Sequence, residues 1–403
     1  MFAPRKNPAC ALWSEMLQLC RYDLEVSDSP GYFRRFVLPG LAFKAVIIGG
    51  GYATGRELAE FFLPSGPRGG LFGMFLAMGI WSAICTLTFL YALLSNSYDY
   101  RTFFRRLLGP FWIAFELAYS MFIMVMLSVF GAASGAIGNA LFGWPVLAGT
   151  LCLVAAISLV VTFGSESVER AFKYVSFVLY GTYAVFLVLA VRTFGSDIAA
   201  NFAAPAPAQG WVSAGITYSG YNLIGAVVIL PTLRHLTSRK DAIIAGIVCG
   251  PLAMIPAIVF FVCMIAYYPA IGSVALPANF LLDRLHMPIF QVIYQLMIFA
   301  ALLESGSGAI HAINQRAAAT YQAVRAKSMP EVFRFLIAAA LLVISIFVAN
   351  RFGLVALIAK GYRWFAYAFL AIYVLPLLLW GTWQMWRGRL SSVTEVPTAV
   401  AVD

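Results

Sequence analysis

One apolar segment, residues 37–63, constrains this chain more than any other part of its sequence. The segment is long enough to cross a bilayer, yet its middle contains Gly49, Gly50, Gly51 and Gly55. Inside hydrocarbon every backbone N–H and C=O needs a partner within the protein, so a spanning helix is interrupted only where it lines a cavity or meets a ligand. Each glycine also costs a helix about 1 kcal/mol relative to alanine. The segment therefore predicts a discontinuous membrane helix with a binding site at its break.

The composition of the chain agrees with a membrane location. Of its 403 residues, 62% are hydrophobic and 11% are charged, whereas soluble domains carry about 25% charged residues. Runs of about 20 apolar residues predict ten transmembrane helices in an all-α polytopic membrane protein. The predicted spans are 37–63, 70–95, 110–141, 145–163, 171–194, 211–231, 241–268, 287–315, 331–350 and 353–382.

These spans divide the chain into three regions. We predict a cytoplasmic N-terminal tail (1–36) with a short amphipathic segment, a transmembrane transporter domain (37–385) and a cytoplasmic C-terminal tail (386–403). The orientation follows from Lys and Arg, which concentrate in one set of alternate loops and so mark the cytoplasmic side. The other set contains only Arg68, Arg192, Arg284 and Arg351. We expect a multi-pass protein of the cell inner (cytoplasmic) membrane, whose net charge of +10 faces anionic lipid rather than nucleic acid.

The ten spans form two halves of five that share the same irregularities. The sixth span also carries an interruption of polar residues and glycine, at 217–222. In each half an extra short segment joins the second and third spans, at 98–108 and at 271–285. An odd number of spans per half inserts the second half upside down. The pattern predicts inverted repeats of 37–194 and 211–382, with helices 1 and 6 discontinuous.

Two motifs resemble those of a known family. The runs GGGYATGRELAEFF at 49–62 and GYNLIGAVVILP at 220–231 are similar to the YkvI-like amino-acid permeases, bacterial proteins of the amino acid–polyamine–organocation superfamily. The resemblance covers the membrane region, about 37–382. It implies the LeuT-like fold of five plus five inverted spans and the movement of a small, amino-acid-like solute driven by an ion gradient. The chain departs from the expected pattern at Arg56, where we expect Gln.

The break in the first span predicts the substrate site. Amides at the start of a helix carry partial positive charge, so those beyond the break suit a carboxylate, with Arg56 nearby. The sixth span offers hydroxyl, amide and free carbonyl groups, and Tyr119 is positioned to close the site from the third span. Tyr119 and Tyr221 have an equally good interpretation as aromatic packing between helices. The predicted substrate-binding residues are Gly49, Gly50, Gly51, Tyr52, Ala53, Arg56, Tyr119, Tyr218, Ser219, Gly220 and Asn222.

Ionisable residues inside spans are costly and usually mark transport pathways. Five such residues are Lys44, Arg56, Glu57, Glu116 and Glu304. A structural alternative is that Arg56 forms an ion pair with Glu304, or with Glu60 one helical turn further on, because opposite charges neutralise each other in a medium of low dielectric constant.

The sequence does not choose between Na⁺ and H⁺ as the coupling ion. In the LeuT-like fold the eighth span builds an ion site against the first half of span one, so the resemblance implies Ser305 and Ser307 as ligands. Lys173 is placed to supply an ammonium group that replaces sodium, although we favour its interpretation as a boundary charge. The predicted ion-coupling residues are Glu57, Glu304, Ser305, Ser307 and Lys173. Sodium needs several oxygen ligands and a proton needs a titrating group; apart from Na⁺ or H⁺ we expect no cofactor and no bound metal.

Three classes of function are compatible with a polytopic chain. We favour a secondary active transporter that moves a small amino-acid-like or carboxylate-bearing solute by alternating access. The alternative is a receptor-like or regulatory module that keeps a transporter fold and only binds its ligand. A membrane-embedded enzyme needs a nucleophile–base pair or metal cluster, and the three histidines are too dispersed to provide one. Expected partners are a small-molecule substrate and the lipid bilayer, without nucleic acid.

Overall fold

A computed structural model describes residues 31–163, 166–325 and 327–388. Every regular element within these ranges is helical, which confirms the predicted all-α class. The helices in chain order are α1 (Leu38–Ile47), α2 (Gly50–Ala53), α3 (Arg56–Phe61), α4 (Gly66–Leu94), α5 (Tyr100–Leu108), α6 (Trp112–Phe142), α7 (Val146–Phe163), α8 (Glu166–Ala203), α9 (Trp211–Asn222), α10 (Ile224–Val228), α11 (Arg239–Met264), α12 (Pro277–Arg284), α13 (Pro288–Arg325), α14 (Glu331–Ala356), α15 (Arg363–Phe369) and α16 (Thr382–Trp386).

Six helical stretches in the described part of the chain are long and apolar enough to cross a membrane. The last of them, Glu331–Trp386, joins the predicted ninth and tenth spans, which are separated by a kink at Gly353 (φ 72°, ψ 167°). Val146–Val161 is a shorter apolar helix. Because broken helices and kinked helices change such a count, the ten spans remain a prediction, as does the superposition of the two halves.

The centre of the bundle is built by α1, α4, α9 and α11, with α4 and α11 in the most extensive contact. Gly246 and Gly250 of α11 face the backbone of α4: a methyl group on Gly246 would collide with Thr86, and one on Gly250 with the Met78 carbonyl. In lipid, helices associate through such close approach because burial of apolar surface gives no driving force. Gly131 and Gly135 have the same role between α6 and α7.

The first span is interrupted twice. Its first half ends at Ile47, Ile48 leaves helical geometry (ψ 84°), and Gly49 is extended (φ −110°, ψ −166°). The chain then forms the single turn α2, and Gly55 (φ 78°) turns it again before α3. Only Gly55 occupies the left-handed region that favours glycine. Gly50 and Gly51 therefore belong to a helical turn after the break, not to an unwound segment.

The predicted interruption of the sixth span at 217–222 is wrong in position. These residues lie inside α9, which continues to Asn222. The Ser219 hydroxyl donates to the Gly215 carbonyl at 2.7 Å and the Asn222 amide donates to the Tyr218 carbonyl at 3.0 Å, so the polar side chains bond back to their own helix. The α-helix is interrupted only at Leu223. The short α10 and a 3₁₀ segment at Leu230–His235 follow it.

The extra segments between second and third spans are short helices, α5 in the first half and α12 in the second. We call the two ends of the bundle the α5 side and the α12 side; the sequence predicts that the α5 side is cytoplasmic. The amphipathic segment of the N-terminal tail lies outside the described residues, as does the C-terminal tail beyond residue 388.

Candidate functional site

A small buried cavity lies where the first span breaks. It is bounded by the end of α1, the middle of α6, the junction of α9 and α10, and the segment before α15, and its volume is about 30 Å³. A space of this size holds roughly one or two water molecules or a small head group. The residues facing it are Val46, Ile47, Gly49, Glu57, Phe122, Met126, Phe130, Tyr221, Asn222, Ile224 and Tyr362.

Glu57 is the only acidic or basic residue in the lining of this cavity. Its side chain is 3% exposed, and its carboxylate accepts hydrogen bonds from the Tyr221 hydroxyl, at 2.7 Å, and from the Tyr52 amide. A methyl group on Gly51 would meet Glu57 Cγ at 2.6 Å, so the glutamate side chain lies directly on the Gly51 backbone. The Tyr52 amide, one of those predicted to receive a solute carboxylate, thus binds the protein's own carboxyl group.

The other glycines of the break allow neighbouring helices to approach. A methyl group on Gly49 would meet the Phe130 ring at 2.7 Å, and one on Gly50 would meet Leu302 of α13 at the same distance. The backbone groups near the second interruption find partners elsewhere: the Tyr183 hydroxyl donates to the Ala53 carbonyl at 3.3 Å. The first span is therefore held on several sides by α6, α8 and α13.

Most of the predicted residues in the sixth span do not face the cavity. Gly220 packs against the backbone of Ala366 in α15, and the Ser219 hydroxyl is occupied within its helix. Tyr218 is fully buried in a ring cluster with Phe62 and Trp81. Within the predicted set for this span, the structure brings only Asn222 to the lining of the cavity. Tyr52 also points away, since its hydroxyl donates to the carbonyl of Ala253 at 2.8 Å.

Arg56 closes the α12 side of the site. Its guanidinium donates to the carbonyls of Gly272 and Val274, each at 2.8 Å, and to Glu60 Oε2 at 2.8 Å. Arg363 approaches the other oxygen of Glu60 at 3.8 Å. The alternative of an Arg56–Glu60 pair is therefore the arrangement in the structure, and Arg56 links α3 to the segment before α12 rather than pointing at a solute.

We expect Arg56→Gln to loosen this closure. The variant loses hydrogen bonds from a charged donor that is 4% exposed, so the free energy of unfolding should fall by about 2 kcal/mol. Thermal unfolding in detergent measures the change, and Arg192→Gln, at an exposed position of α8, is the control. Equal melting temperatures for Arg56→Gln and the wild type would show that these contacts do not hold the segment.

Tyr119 lines a different cavity, on the α5 side. This second cavity has a volume of about 370 Å³ and lies between α5, α6, α13 and the residues after α9. The Arg316 guanidinium is centred 3.8 Å from the Tyr119 ring and 3.8 Å from the Tyr100 ring. Tyr100 in turn donates to Glu116 at 3.2 Å. Tyr119 is thus separated from the central cavity, whose α6 wall is formed by Phe122 and Phe130.

Of the predicted ion-coupling residues, the structure brings Glu304 near Lys44. Lys44 is 1% exposed, and its ammonium nitrogen lies 4.2 Å from the centre of the Tyr180 ring in α8. Glu304 of α13 acts on it electrostatically without forming an ion pair within 4.0 Å among the described residues. Ser307 is buried with its hydroxyl unpaired, and Ser305 is half-buried. Lys173 lies on α8, and its side chain is outside the described part of the chain.

Sequence reasoning missed three aromatic residues of the central cavity: Phe122, Phe130 and Tyr362. Phe122 lies one helical turn after Tyr119, so the prediction placed the contact of the third span with the site one turn too early. Tyr362 lies between Lys360 and Arg363 in the predicted tenth span. No local signal distinguishes these rings from packing residues, because the cavity that they share is made by contacts between distant spans.

The chain is similar to a relative of undescribed activity. It matches no established protein-family profile. It is 24% identical over 345 residues to the uncharacterized membrane protein YkvI of Bacillus subtilis (strain 168), and the match covers 82% of this chain and 92% of the relative. The resemblance therefore extends over most of both proteins.

Solved structures of transporters share the fold. MhsT in complex with L-phenylalanine has a TM-score of 0.58 and 17% identity, over 92% of this chain and 93% of that structure. A manganese transporter of Eremococcus coleocola has a TM-score of 0.52 and 19% identity, over 88% and 81%. Both neighbours have the LeuT fold. The resemblance to YkvI is confirmed, and the chain is a membrane protein with the LeuT fold.

Proposed function

We propose that this protein is a secondary transporter that moves a small, amino-acid-like solute across the cytoplasmic membrane by alternating access. The observation that carries the proposal is the break at Ile48–Gly49, which opens onto a buried cavity containing one carboxylate. Interrupted backbone at membrane depth is tolerated where it lines such a cavity. The similarity in fold to known transporters supports the same conclusion.

The two sides of the site differ as alternating access requires. On the α12 side the cavity is closed by Arg56 and its contacts to Gly272, Val274 and Glu60. On the α5 side the second cavity, of about 370 Å³, approaches from the surface that the charge distribution predicts to be cytoplasmic. We assign this arrangement to an inward-facing conformation, with both termini cytoplasmic.

Coupling in this proposal uses a proton, and the residues are Lys44 and Glu304. The resemblance implies an ion site between the first half of span one and span eight, and Lys44 places an ammonium group beside Glu304 in this region. Two unit charges 4 Å apart repel by about 4 kcal/mol at an effective dielectric constant of about 20, which opposes sodium binding. Lys44 thus takes the role that the sequence offered to Lys173.

Uptake into proteoliposomes tests both the function and the coupling. We expect uptake of radiolabelled leucine to follow an imposed pH gradient and to be indifferent to a sodium gradient. Glu304→Gln should keep solute exchange but lose accumulation driven by the pH gradient, because the amide cannot carry a proton. Glu331→Gln, an exposed carboxylate at the start of α14, is the matched control.

Three outcomes would change the proposal. Accumulation driven by sodium alone would indicate a sodium site with Ser305 and Ser307 as ligands. If Glu304→Gln still accumulates solute in response to the pH gradient, Glu304 has no part in the coupling step. Saturable solute binding by the purified protein without uptake or exchange in proteoliposomes would instead favour the receptor-like alternative.

A further inference from the structure

We infer that the central cavity recognises the ammonium group of its solute, so that the substrate class is an organic amine whose binding does not depend on a carboxylate. The inference rests on the proposed function, because it names the solute of the same site. It follows from the position of Glu57, the one acidic residue of the lining, and from the aromatic rings around it.

The one acidic side chain of the lining has no basic partner. Glu57 receives hydrogen bonds from one hydroxyl and one amide, and it forms no ion pair within 4.0 Å among the residues that the structure describes. The lining contains no Lys, Arg or His. A buried carboxylate is stable only when it is paired, so a cationic solute would bind the ionised form of Glu57 and complete the pair.

The walls of the cavity suit a cation as well. The rings of Tyr221 and Tyr362 have centroids 4.7 Å apart, and Phe122 lies 5.6 Å from Tyr362. Phe130 forms a further wall. The face of an aromatic ring attracts an ammonium group within about 6 Å, and sets of such rings bind substituted ammonium ions. Glu57 and these rings are contributed by four different spans, which the fold brings to one point.

A solute carboxylate has no corresponding partner. Glu57 lies on Gly51 and accepts a hydrogen bond from the Tyr52 amide, so a solute carboxylate there would have to compete with it for the same amide. The guanidinium of Arg56 is directed to Glu60 and to two carbonyls on the α12 side. Two polar side chains of the lining remain: Asn222 donates its amide to the Tyr218 carbonyl, and Tyr362 offers a single hydroxyl.

The test compares three compounds that share one carbon skeleton and differ in charge. Isopentylamine carries only the ammonium group, leucine carries both groups and isocaproate carries only the carboxylate; methylamine and ethylamine extend the ammonium series to smaller compounds. We expect saturating isopentylamine to raise the melting temperature of the wild type by at least about 2 °C, and isocaproate to have no effect. Glu57→Gln should weaken isopentylamine binding by at least about tenfold, whereas Glu331→Gln should bind as the wild type does.

A second variant pair keeps the test decisive if Glu57→Gln does not fold. Tyr362→Leu removes a ring and should weaken binding of ethylamine, while Tyr362→Phe retains the ring and should restore it. The inference is overturned if no ammonium compound stabilises the wild type, or if Glu57→Gln binds isopentylamine unchanged, as a role in proton transfer alone would require. Uptake of leucine or isocaproate without any amine binding would overturn the inference and leave the transporter standing. Amine binding that depends on Glu57, without any uptake, would support the inference and contradict the proposed transport.

Discussion

Gly51→Val is expected to abolish solute binding and to reduce uptake by more than about tenfold. A side chain at this position overlaps the Glu57 carboxylate and lies 2.6 Å from its Cγ. The glutamate would have to leave the cavity and lose its hydrogen bonds from Tyr52 and Tyr221. The initial rate of uptake into proteoliposomes and the melting temperature with saturating ligand measure the effect.

The control for this variant is Gly79→Val. Gly79 is an exposed position of α4 where an added methyl group meets nothing within 4 Å. Both variants add the same apolar side chain to the membrane region, so both should insert into the membrane at normal yield. Uptake by Gly51→Val at the rate of Gly79→Val would show that Glu57 does not need its position on the Gly51 backbone.

Gly246→Val is expected to lower the free energy of unfolding by about 3 kcal/mol, at the upper end of the range for overpacked positions. The added side chain collides with backbone as well as side-chain atoms of Thr86, so a rotamer change cannot relieve the clash. The helices α4 and α11 would have to separate in the most extensive contact of the bundle. Thermal unfolding of the detergent-purified protein measures the change.

Gly181→Val provides the comparison, since Gly181 is an exposed residue of α8 with open space around it. We expect its melting temperature to equal that of the wild type within about 1 °C. If Gly246→Val melts at the same temperature as Gly181→Val, the close approach of α4 and α11 contributes little to stability.

The sequence located the break in the first span because the signal is local. A run of glycines lowers helix stability wherever it occurs, and the backbone leaves the helix at Ile48 and Gly49. The sixth span shows the limit of such reasoning. Its polar residues suggested an interruption, but Ser219 and Asn222 bond to carbonyls four residues earlier, and the helix persists.

The ionisable residues of the first span also show which features are local and which depend on packing. That Arg56 and Glu57 matter was evident because ionisable residues at membrane depth are costly. Their directions were not: Glu57 turns back to the break, and Arg56 turns to the loop before α12. Adjacent residues on a helix point about 100° apart, so the packing of the neighbouring spans decides which of the two faces the cavity.

By itself the sequence determined the all-helical membrane class, the position of the first break and the pair of extra short segments that contain α5 and α12. Each of these follows from local hydrophobicity or local backbone cost. Only the tertiary structure decided that Glu57 lies on Gly51, that Arg56 closes the α12 side, and that Phe122, Phe130 and Tyr362 share one cavity. These features arise where residues far apart in the chain meet, and the approach of packed helices, which no local pattern encodes, fixes them.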